Sequence, residues 1–275
     1  MLKTRILTAL VLLAVLLPVL FFNNFIAFAV VATAFFGAAA WEAARLFGLG
    51  APRLFGVACC VLFGAGLLLL VPPGLIGLLF ALSVLLWLIR FTPSLAIGLP
   101  ALLSPANWAL SLSFTVALFG CFYAIVRLFQ HSPGYLLSVM ALVWIADIGA
   151  YFSGKAFGKR KLAPSISPGK SWEGAIGGGI AVLALSALTV VSGASWLQDT
   201  FAVRLQARFG WAGALAILVV VVAASVVGDL FESQLKRRAA MKDSSNLLPG
   251  HGGVLDRIDA LIPVLPLAAL IGTWL

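Results

Sequence analysis

The chain has 275 residues, of which 63% are hydrophobic and 10% are charged, and its mean hydropathy is +1.13. These values lie outside the range of soluble globular domains and indicate an all-α polytopic integral membrane protein. The formal net charge is +9, but the basic residues border apolar runs and do not spread over a soluble face. This pattern argues against nucleic acid and predicts the lipid bilayer and a polyanionic substrate as partners.

About nine transmembrane helices with short loops fit the length, because one span needs about 20 apolar residues. The predicted spans are 6–22, 25–46, 54–71, 75–89, 108–126, 135–152, 174–196, 211–230 and 260–275. Residues 1–134 would hold about five of them, and 135–275 would form a catalytic region with two polar loops, 153–173 and 232–258.

Two connections between the predicted spans, and one pair of charged residues within a span, are polar or contain prolines. Residues 91–107 contain three prolines, which favours a re-entrant or interfacial segment over a span. Residues 198–209 are polar and predict a connection that lies in the membrane interface. Glu42 and Arg45, near the end of the second span, are expected to extend to the interface.

The basic residues predict the orientation of the chain. With the N-terminus in the cytoplasm, fifteen of the eighteen lysines and arginines fall on the cytoplasmic side. Both polar loops then face the cytoplasm, and the expected location is the inner (cytoplasmic) membrane. Cys59, Cys60 and Cys121 lie in apolar runs and are interpreted as small hydrophobic residues.

Residues 228–259 hold five of the nine acidic and five of the eighteen basic residues. Four polar residues at helical spacing share one face there: Asp229, Glu232, Ser233 and Lys236. Asp256 and Asp259 repeat the three-residue spacing. Two carboxylate pairs suit Mg²⁺, which takes one or two carboxylates and completes its shell with water and phosphate. The alternative is that these carboxylates only cap helices and mark the interface.

A glycine-rich turn lies between the two carboxylate pairs. Its glycines, which include Gly252 and Gly253, allow the backbone to approach a phosphate and to offer N–H groups. Glycine loops are common, so this signal is weak by itself. His251, in the same turn, is more often a structural hydrogen-bonding residue than a proton carrier.

A second cluster surrounds the basic loop. Asp147 lies within a predicted span, where a carboxylate indicates a functional site, with a structural ion pair or hydrogen bond as the close alternative. The preference of basic residues for the cytoplasmic side would by itself explain the lysines of this loop. The residues beside them favour anion binding over that explanation: Ser165, Ser167, Gly169, Lys170 and Ser171. Residues 177–179 are three glycines and predict close helix packing instead of a nucleotide loop.

These residues resemble a known signature. The segment 233–259 is similar to the phosphatidate cytidylyltransferase (CDP-diacylglycerol synthase) family, whose pattern is S-x-L-K-R, four residues, K-D, then a small-residue stretch to P-x-H-G-G-x-x-D-R-x-D. Upstream, W-x-x-D-x-x-A-Y and P-S-I-S-P-x-K-x-W-E-G also resemble the family. Gly169 stands where many members have lysine. The resemblance covers residues 144–275 well, and before that only hydropathy agrees.

The resemblance implies the reaction of CTP with phosphatidate to give CDP-diacylglycerol and pyrophosphate, with Mg²⁺ and a possible second cation. The implied metal ligands are Asp229 and Asp256, supported by Glu232 and Asp259. The implied catalytic residues are Asp229, Asp256, Lys236, Arg257 and Asp259. The implied substrate-binding residues are Ser165, Ser167, Lys170, Ser233, Arg237, Lys242, His251, Gly252 and Gly253. Asp147 is a weaker candidate, and the small residues of 174–179 permit a homodimer.

Three other functions are left open by the residues. A transporter or channel would use Asp147 as a coupling carboxylate, but it predicts polar residues in several spans, and the first five spans contain almost none. A lipid-binding scaffold would need the basic residues but not the acidic pairs. A related CTP-using enzyme could act on a polyprenol or an ether lipid, since the motifs do not distinguish the tails.

Overall fold

The chain is a series of helices in a computed structural model that describes residues 2–69 and 71–275, without the side chains of residues 2–7, 9, 12 and 15. The α-helices of the described residues are α1 (Leu2–Phe21), α2 (Phe25–Leu46), α3 (Pro52–Leu68), α4 (Pro73–Leu86), α5 (Thr92–Ile97), α6 (Pro105–His131), α7 (Pro133–Phe157), α8 (Trp172–Ser192), α9 (Phe201–Arg238), α10 (Leu255–Ile258) and α11 (Leu261–Gly272). A π-helical segment, Trp87–Phe91, joins α4 to α5, and a 3-10 turn, Ser195–Leu197, precedes α9.

Six helical stretches in the described part of the chain are long and apolar enough to cross a membrane. They are Phe25–Leu46, Pro73–Ile97, Pro105–His131, Pro133–Phe157, Trp172–Ser192 and Phe201–Arg238. The helices α3 and α11 are apolar but have only 17 and 12 residues. The structure therefore supports a helical polytopic membrane protein, whereas the predicted count of nine spans is not confirmed.

The proline-containing segment 91–107 does not form a separate span. The helix that begins at Pro73 continues to Ile97, and irregular backbone is confined to 98–104. Pro105 lies in the first turn of α6, where a missing N–H costs nothing. Pro93 lies just after the π-helical segment inside the continuous helix, and of the three prolines only Pro100 lies in the irregular stretch.

The predicted interfacial connection 198–209 is helical from Phe201, and its location in the membrane interface stays a prediction. This polar start joins the apolar part of α9 at Gly210, which has φ 66° and ψ −178°. Only glycine adopts this conformation readily. Gly210 therefore forms a kink between the polar start of α9 and its apolar part. The pattern of polar residues alone does not reveal this kink.

Both predicted polar loops begin later than expected, and one of them contains strands. In 153–173, α7 extends to Phe157, and β1 (Lys161–Ala163) pairs antiparallel with β2 (Ser167–Ser171). This β-hairpin is a small exception to the all-α prediction, since strands of three and five residues leave no readable alternation. In 232–258, helix α9 continues to Arg238, so the irregular segment begins at residue 239.

Aromatic packing fixes α9 in the bundle. Phe231 is fully buried, and its ring centroid lies 4.9 Å from that of Phe91 and 5.6 Å from that of Phe114. The acidic residues on either side of Phe231 are therefore held by a rigid contact with α6 and the π-helical segment. Cys59 and Cys121 are buried free thiols, which confirms their interpretation as small hydrophobic residues.

Glycines allow α7 and α8 to pack closely. A Cβ atom added at Gly178 would overlap the carbonyl oxygen of Ala146, and one at Gly149 would lie 3.0 Å from the Cβ of Ala181. A Cβ at Gly177 would overlap the side chain of Ser153. The prediction of close helix packing at 177–179 is confirmed for the first two glycines. This face is occupied within the chain, so a homodimer would need another surface.

The variant Gly178→Ala is expected to lower the free energy of unfolding by about 1–3 kcal/mol, because overpacking forces the two helices apart. The measurement is thermal unfolding of the purified protein in detergent. Gly77→Ala is the matched control, since a Cβ at Gly77 on α4 meets nothing within 4 Å. Equal melting temperatures for the two variants would contradict the packing described here.

Candidate active site

The acidic face of α9 is brought next to the start of α11 by a close backbone approach. A Cβ at Gly228 would overlap the carbonyl oxygen of Asp259 and would lie 2.8 Å from the Cδ of Pro263. Glycine at this position thus sets Asp229 near Asp259. Burial raises the pKa of Asp259 to about 8, and the negative charge of Asp229 adds to the rise.

Asp229 pairs with a lysine from the β-hairpin. The Nζ of Lys170, on β2, forms an ion pair with Oδ2 of Asp229, and both side chains are about one quarter exposed, at 27% and 29%. The hydroxyl of Ser233, one turn further along α9, donates to Oδ1 of Asp229 at 3.3 Å. The predicted second cluster therefore meets the first through Lys170.

A second lysine lies between two buried carboxylates. Lys236 pairs with Glu232 on the preceding turn of α9, and its Nζ lies 2.7 Å from Oδ1 of Asp256. The side chains of Glu232 and Asp256 are only 1% and 4% exposed. Buried charges of one sign require a neutralising partner, and Lys236 supplies it to both carboxylates.

Asp256 is also the acceptor around which the irregular segment folds. Its Oδ2 accepts the N–H of Gly253 at 2.7 Å, the N–H of Ser244 at 2.9 Å and the hydroxyl of Ser244 at 2.8 Å. Burial raises the pKa of Asp256, but the hydrogen bonds from Lys236 and Gly253 and the charge of Lys236 outweigh it and lower the pKa below the usual 3.8. Asp256 is therefore ionised at neutral pH.

Glu42 of α2 is a site residue that the sequence analysis missed. It was expected at the membrane interface, but it is fully buried and accepts the N–H of Leu255 at 2.7 Å and that of Val254 at 3.1 Å. The hydroxyls of Ser244 and Ser245 also donate to it. The expectation failed because hydropathy shows only that an acidic residue lies near the end of a span. It does not show that the segment containing Val254 and Leu255 packs over that residue.

Small residues beside Glu42 carry the signal that could have revealed this contact. Ala39, Ala40, Ala43 and Ala44 surround it on α2 and are all buried, which lets a second backbone come close. Arg45 is half-buried instead of reaching freely into the interface, and its Nη1 donates to the carbonyl oxygen of Ser244 at 3.0 Å.

The end of α9 is fixed by hydrogen bonds to residues 94–107, which include the start of α6. Nη1 of Arg238 donates to Oδ1 of Asn107 at 2.8 Å and to the carbonyl oxygen of Pro100 at 3.0 Å. The amide of Gln234 donates to the carbonyl oxygen of Ser94 at 3.0 Å. The segment that sequence patterns left ambiguous therefore braces the helix that carries the acidic residues.

A cavity of about 390 Å³ opens between α7, α8, α9 and the hairpin. Its charged end holds Asp147, Lys170 and Asp229, and its other walls include Val222 and Val226 of α9. Pockets of this size accommodate small ligands. The structure thus places Asp147 in one cavity with the ion pair of Lys170 and Asp229. Lys155 and Ser171, from either end of the basic loop, also line this cavity.

Several predicted site residues make no direct contact with this centre. In the described part of the chain, no ion pair or side-chain hydrogen bond is formed by four of them: Ser165, Ser167, Lys242 and Arg257. Nδ1 of His251 is buried without a hydrogen-bond partner among the described residues. Nε of Arg237 donates to the carbonyl oxygen of Ile166 at 3.4 Å, which ties α9 to the hairpin. The substrate roles of these residues stay predictions.

The glycine turn is shaped by its own neighbours. Gly250 and Gly252 have φ of 78° and 80°, the left-handed region that favours glycine. A Cβ at Gly252 would lie 2.7 Å from Oδ2 of Asp256, and one at Gly253 would overlap the side chains of Ser244 and Glu42. These glycines are thus required for the approach of the turn to Asp256, and their binding to phosphate stays a prediction.

The donor chemistry of the centre fits a hard divalent cation. Carboxylate oxygens are the ligands that Mg²⁺ prefers, and it needs only one or two of them from the protein. Oε1 of Glu232 is buried without a hydrogen-bond partner in the described residues. No three acidic, histidine or cysteine side chains of that part of the chain converge as a ready-made cluster. Lys170 and Lys236 lie beside the carboxylates.

Together, these features define a polytopic helical membrane protein with a charged centre where its helices end. The model of the cytidylyltransferase family matches residues 3–275. The chain therefore belongs to the cytidylyltransferase family.

Bacterial relatives agree with this assignment. A phosphatidate cytidylyltransferase of Pseudomonas aeruginosa is 42% identical over 271 residues, which cover 98% of this chain and 96% of that protein. The enzymes of the same name from Haemophilus influenzae and Bacillus subtilis are 50% and 39% identical over 142 and 148 residues. These two alignments cover about half of this chain (50% and 54%) and about half of the relatives (46% and 51%).

Asp256→Asn is expected to lower the free energy of unfolding at pH 7 by about 1–3 kcal/mol, because a neutral amide replaces a buried, charged acceptor. The wild-type pKa is lowered in the folded state, so its stabilising effect is present above the ordinary pKa of 3.8. It is lost as the pH falls through the lower folded-state value. The difference between the two proteins should therefore shrink below pH 4.

This prediction is checked by thermal unfolding in detergent from pH 7 down to pH 3. Asp243→Asn is the matched control, since Asp243 is exposed and forms no ion pair or hydrogen bond within the described residues. It should leave the melting temperature unchanged at every pH. A destabilisation by Asp256→Asn that is the same at pH 7 and pH 3 would contradict the assignment.

Proposed function

We propose that this chain is a phosphatidate cytidylyltransferase, which converts CTP and phosphatidate to CDP-diacylglycerol and pyrophosphate in phospholipid biosynthesis. The observation that carries the proposal is the charged centre of Asp229, Lys170, Lys236 and Asp256 next to a cavity between membrane helices. The family membership and the names of the bacterial relatives support the same reaction.

The proposed reaction does not require a strong general base. A phosphatidate oxygen, already ionised at neutral pH, attacks the α-phosphorus of CTP and forms a new P–O bond. The bond from the α-phosphorus to the oxygen that bridges to the β-phosphate breaks, and pyrophosphate leaves with its electron pair. Catalysis then rests on positioning and on neutralising phosphate charge. Lysines and arginines around a carboxylate centre suit that task.

The cavity suggests how lipid and nucleotide meet. Its wall at Val222 and Val226 is apolar, whereas Lys170 lies at the charged end. A lipid phosphate can reach Lys170 while its acyl chains stay in the bilayer. CTP would approach the same centre from the aqueous side, where Arg257 and Lys242 are exposed.

The residues that would hold Mg²⁺ are Asp229 and Asp256, with Glu232 and Asp259 as supporting ligands. The cation, when bound, neutralises triphosphate charge and polarises the α-phosphate. Lys170 and Lys236, which pair with these carboxylates, would turn to phosphate oxygens when substrate binds. Each ammonium group is flexible and carries three donors, so such an exchange of partners needs no movement of a helix.

The centre is proposed to face the cytoplasm of the inner membrane. Support comes from the basic residues, fifteen of eighteen of which fall on one side of the predicted topology. CTP is made in the cytoplasm, so this orientation also gives the substrate access.

The alternative functions are less well supported. A channel or transporter with Asp147 as a coupling group does not account for the ion pairs of Lys170 with Asp229 and of Lys236 with Asp256. A non-catalytic scaffold does not require the buried carboxylates. A polyprenol or ether-lipid substrate is separated from phosphatidate by assaying each acceptor with CTP.

Purified protein given CTP, phosphatidate and Mg²⁺ should release pyrophosphate. Asp229→Asn and Asp256→Asn are each expected to lower kcat at least about 100-fold, as the loss of one charge-stabilising group commonly does. The matched control is Asp199→Asn, because Asp199 pairs with His131 and Arg204 beyond the far end of α8. Undiminished turnover in either site variant would overturn the metal assignment.

The orientation can be tested with single cysteines in a background that lacks Cys59, Cys60 and Cys121. A cysteine at Gly169, which is exposed in the hairpin, should react with a membrane-impermeant maleimide in inverted vesicles but not in intact cells. A cysteine at Trp196, 80% exposed near the far end of α8, should show the opposite pattern. The reverse result for the pair would refute the cytoplasmic placement.

A further inference from the structure

The buried carboxylate of Glu42 lies too far along the chain from the acidic motifs to belong to them, yet it touches the same segment. Its two oxygens accept the N–H groups of Val254 and Leu255 at 3.1 and 2.7 Å. Both amides immediately precede Asp256. The carboxylate is fully buried, so hydrogen bonds from the protein take the place of water.

One serine connects Glu42 directly to Asp256. The hydroxyl oxygen of Ser244 lies 3.2 Å from Oε2 of Glu42 and 2.8 Å from Oδ2 of Asp256. A hydroxyl has a single proton, so the two carboxylates share one donor. The N–H of Ser244 donates to Asp256 as well, at 2.9 Å. Glu42 and Asp256 therefore hold the same short stretch of backbone.

The contact between Glu42 of α2 and segment 244–255 is closely packed on both sides. A Cβ at Gly253 would overlap Oε1 of Glu42 and the hydroxyl of Ser244. Arg45, one turn after Glu42, donates to the carbonyl oxygen of Ser244 at 3.0 Å. A helix of the N-terminal half thus supplies a carboxylate and a guanidinium to the ends of one segment, 244–255.

We propose that Glu42 is a positioning residue, which sets the carboxylate of Asp256 for metal and nucleotide binding by fixing segment 244–255. This inference rests on the proposed function for its catalytic consequence. Glutamate is required at this position because four donors face one side chain. Glutamine would turn an NH₂ group toward at least one of them, and an unmatched buried donor disrupts the segment. Glu42 itself touches neither substrate nor cation.

Steady-state kinetics of Glu42→Gln with CTP, phosphatidate and varied Mg²⁺ test the catalytic part. We expect kcat to fall about 10- to 100-fold and the half-saturating Mg²⁺ concentration to rise about 10-fold, the size of effect seen when a group that orients a metal ligand is lost. Glu42→Asp, which keeps the charge but is shorter, should recover part of both. A lower rate with unchanged half-saturating Mg²⁺ would mean fewer folded molecules and would overturn the proposal.

Ser83→Ala is the matched control. Ser83 is also a fully buried polar residue of the N-terminal half, but its hydroxyl has no hydrogen-bond partner among the described residues. It should leave both kcat and the half-saturating Mg²⁺ concentration unchanged. A shift of both values in Ser83→Ala equal to that in Glu42→Gln would show a general packing effect and would also overturn the proposal.

Amide hydrogen exchange tests the structural part without any activity. In Glu42→Gln, or in Glu42→Asp if the first variant does not fold, the amides of segment 244–256 should exchange at least about 10-fold faster, while those of α6 stay protected. Unchanged exchange in this segment overturns the role of Glu42. A wild-type protein that exchanges slowly there but does not turn over CTP would instead contradict the proposed function and leave the contact established.

Discussion

Burial of several carboxylates in a protein with few charges is the constraint on which the site depends. Glu232 and Asp256 are almost inaccessible, and each needs a cation or a set of donors to remain in the bundle. Lys236 supplies the cation to both, and Lys170 does the same for Asp229 from a separate hairpin. These pairs hold α9, the hairpin and the segment before α11 together. They also keep the two ammonium groups, which are proposed to bind phosphate, beside the carboxylate oxygens that are proposed to bind a metal ion.

The same constraint explains why the N-terminal helices matter to the site. Segment 244–255 has no strand or long helix to satisfy its backbone, so its donors turn to Glu42 and its carbonyl at Ser244 turns to Arg45. Further along, the residues before α6 bind Arg238 and Gln234. The acidic helix is therefore braced by parts of the chain that carry no recognisable motif.

Local patterns were sufficient to predict the helical membrane class, the glycine packing of α7 on α8 and the residues of α9 that share one face. Spacing also identified Asp229, Lys236 and Asp256 as candidate site residues, because motifs and helical periods depend on neighbouring residues. The contact of Glu42 with Ser244 could not be found in this way, since it joins positions 202 residues apart. The extent of α9 depends on a conformation at Gly210 that composition does not reveal. The β-hairpin likewise depends on a contact between residues that are distant in sequence: Glu173 accepts the N–H of Lys159 at 3.1 Å at its base.

We propose that Asp229 and Asp256 hold a cation while Lys170 and Lys236 hold phosphate. The most direct measurement is a cryo-electron microscopy structure with Mn²⁺ in place of Mg²⁺ and a non-hydrolysable CTP analogue. We expect density for a cation in contact with Asp229 and Asp256, with Lys170 and Lys236 turned onto phosphate oxygens. Nucleotide bound elsewhere, with the ion pairs Lys170–Asp229 and Lys236–Asp256 intact, would contradict it.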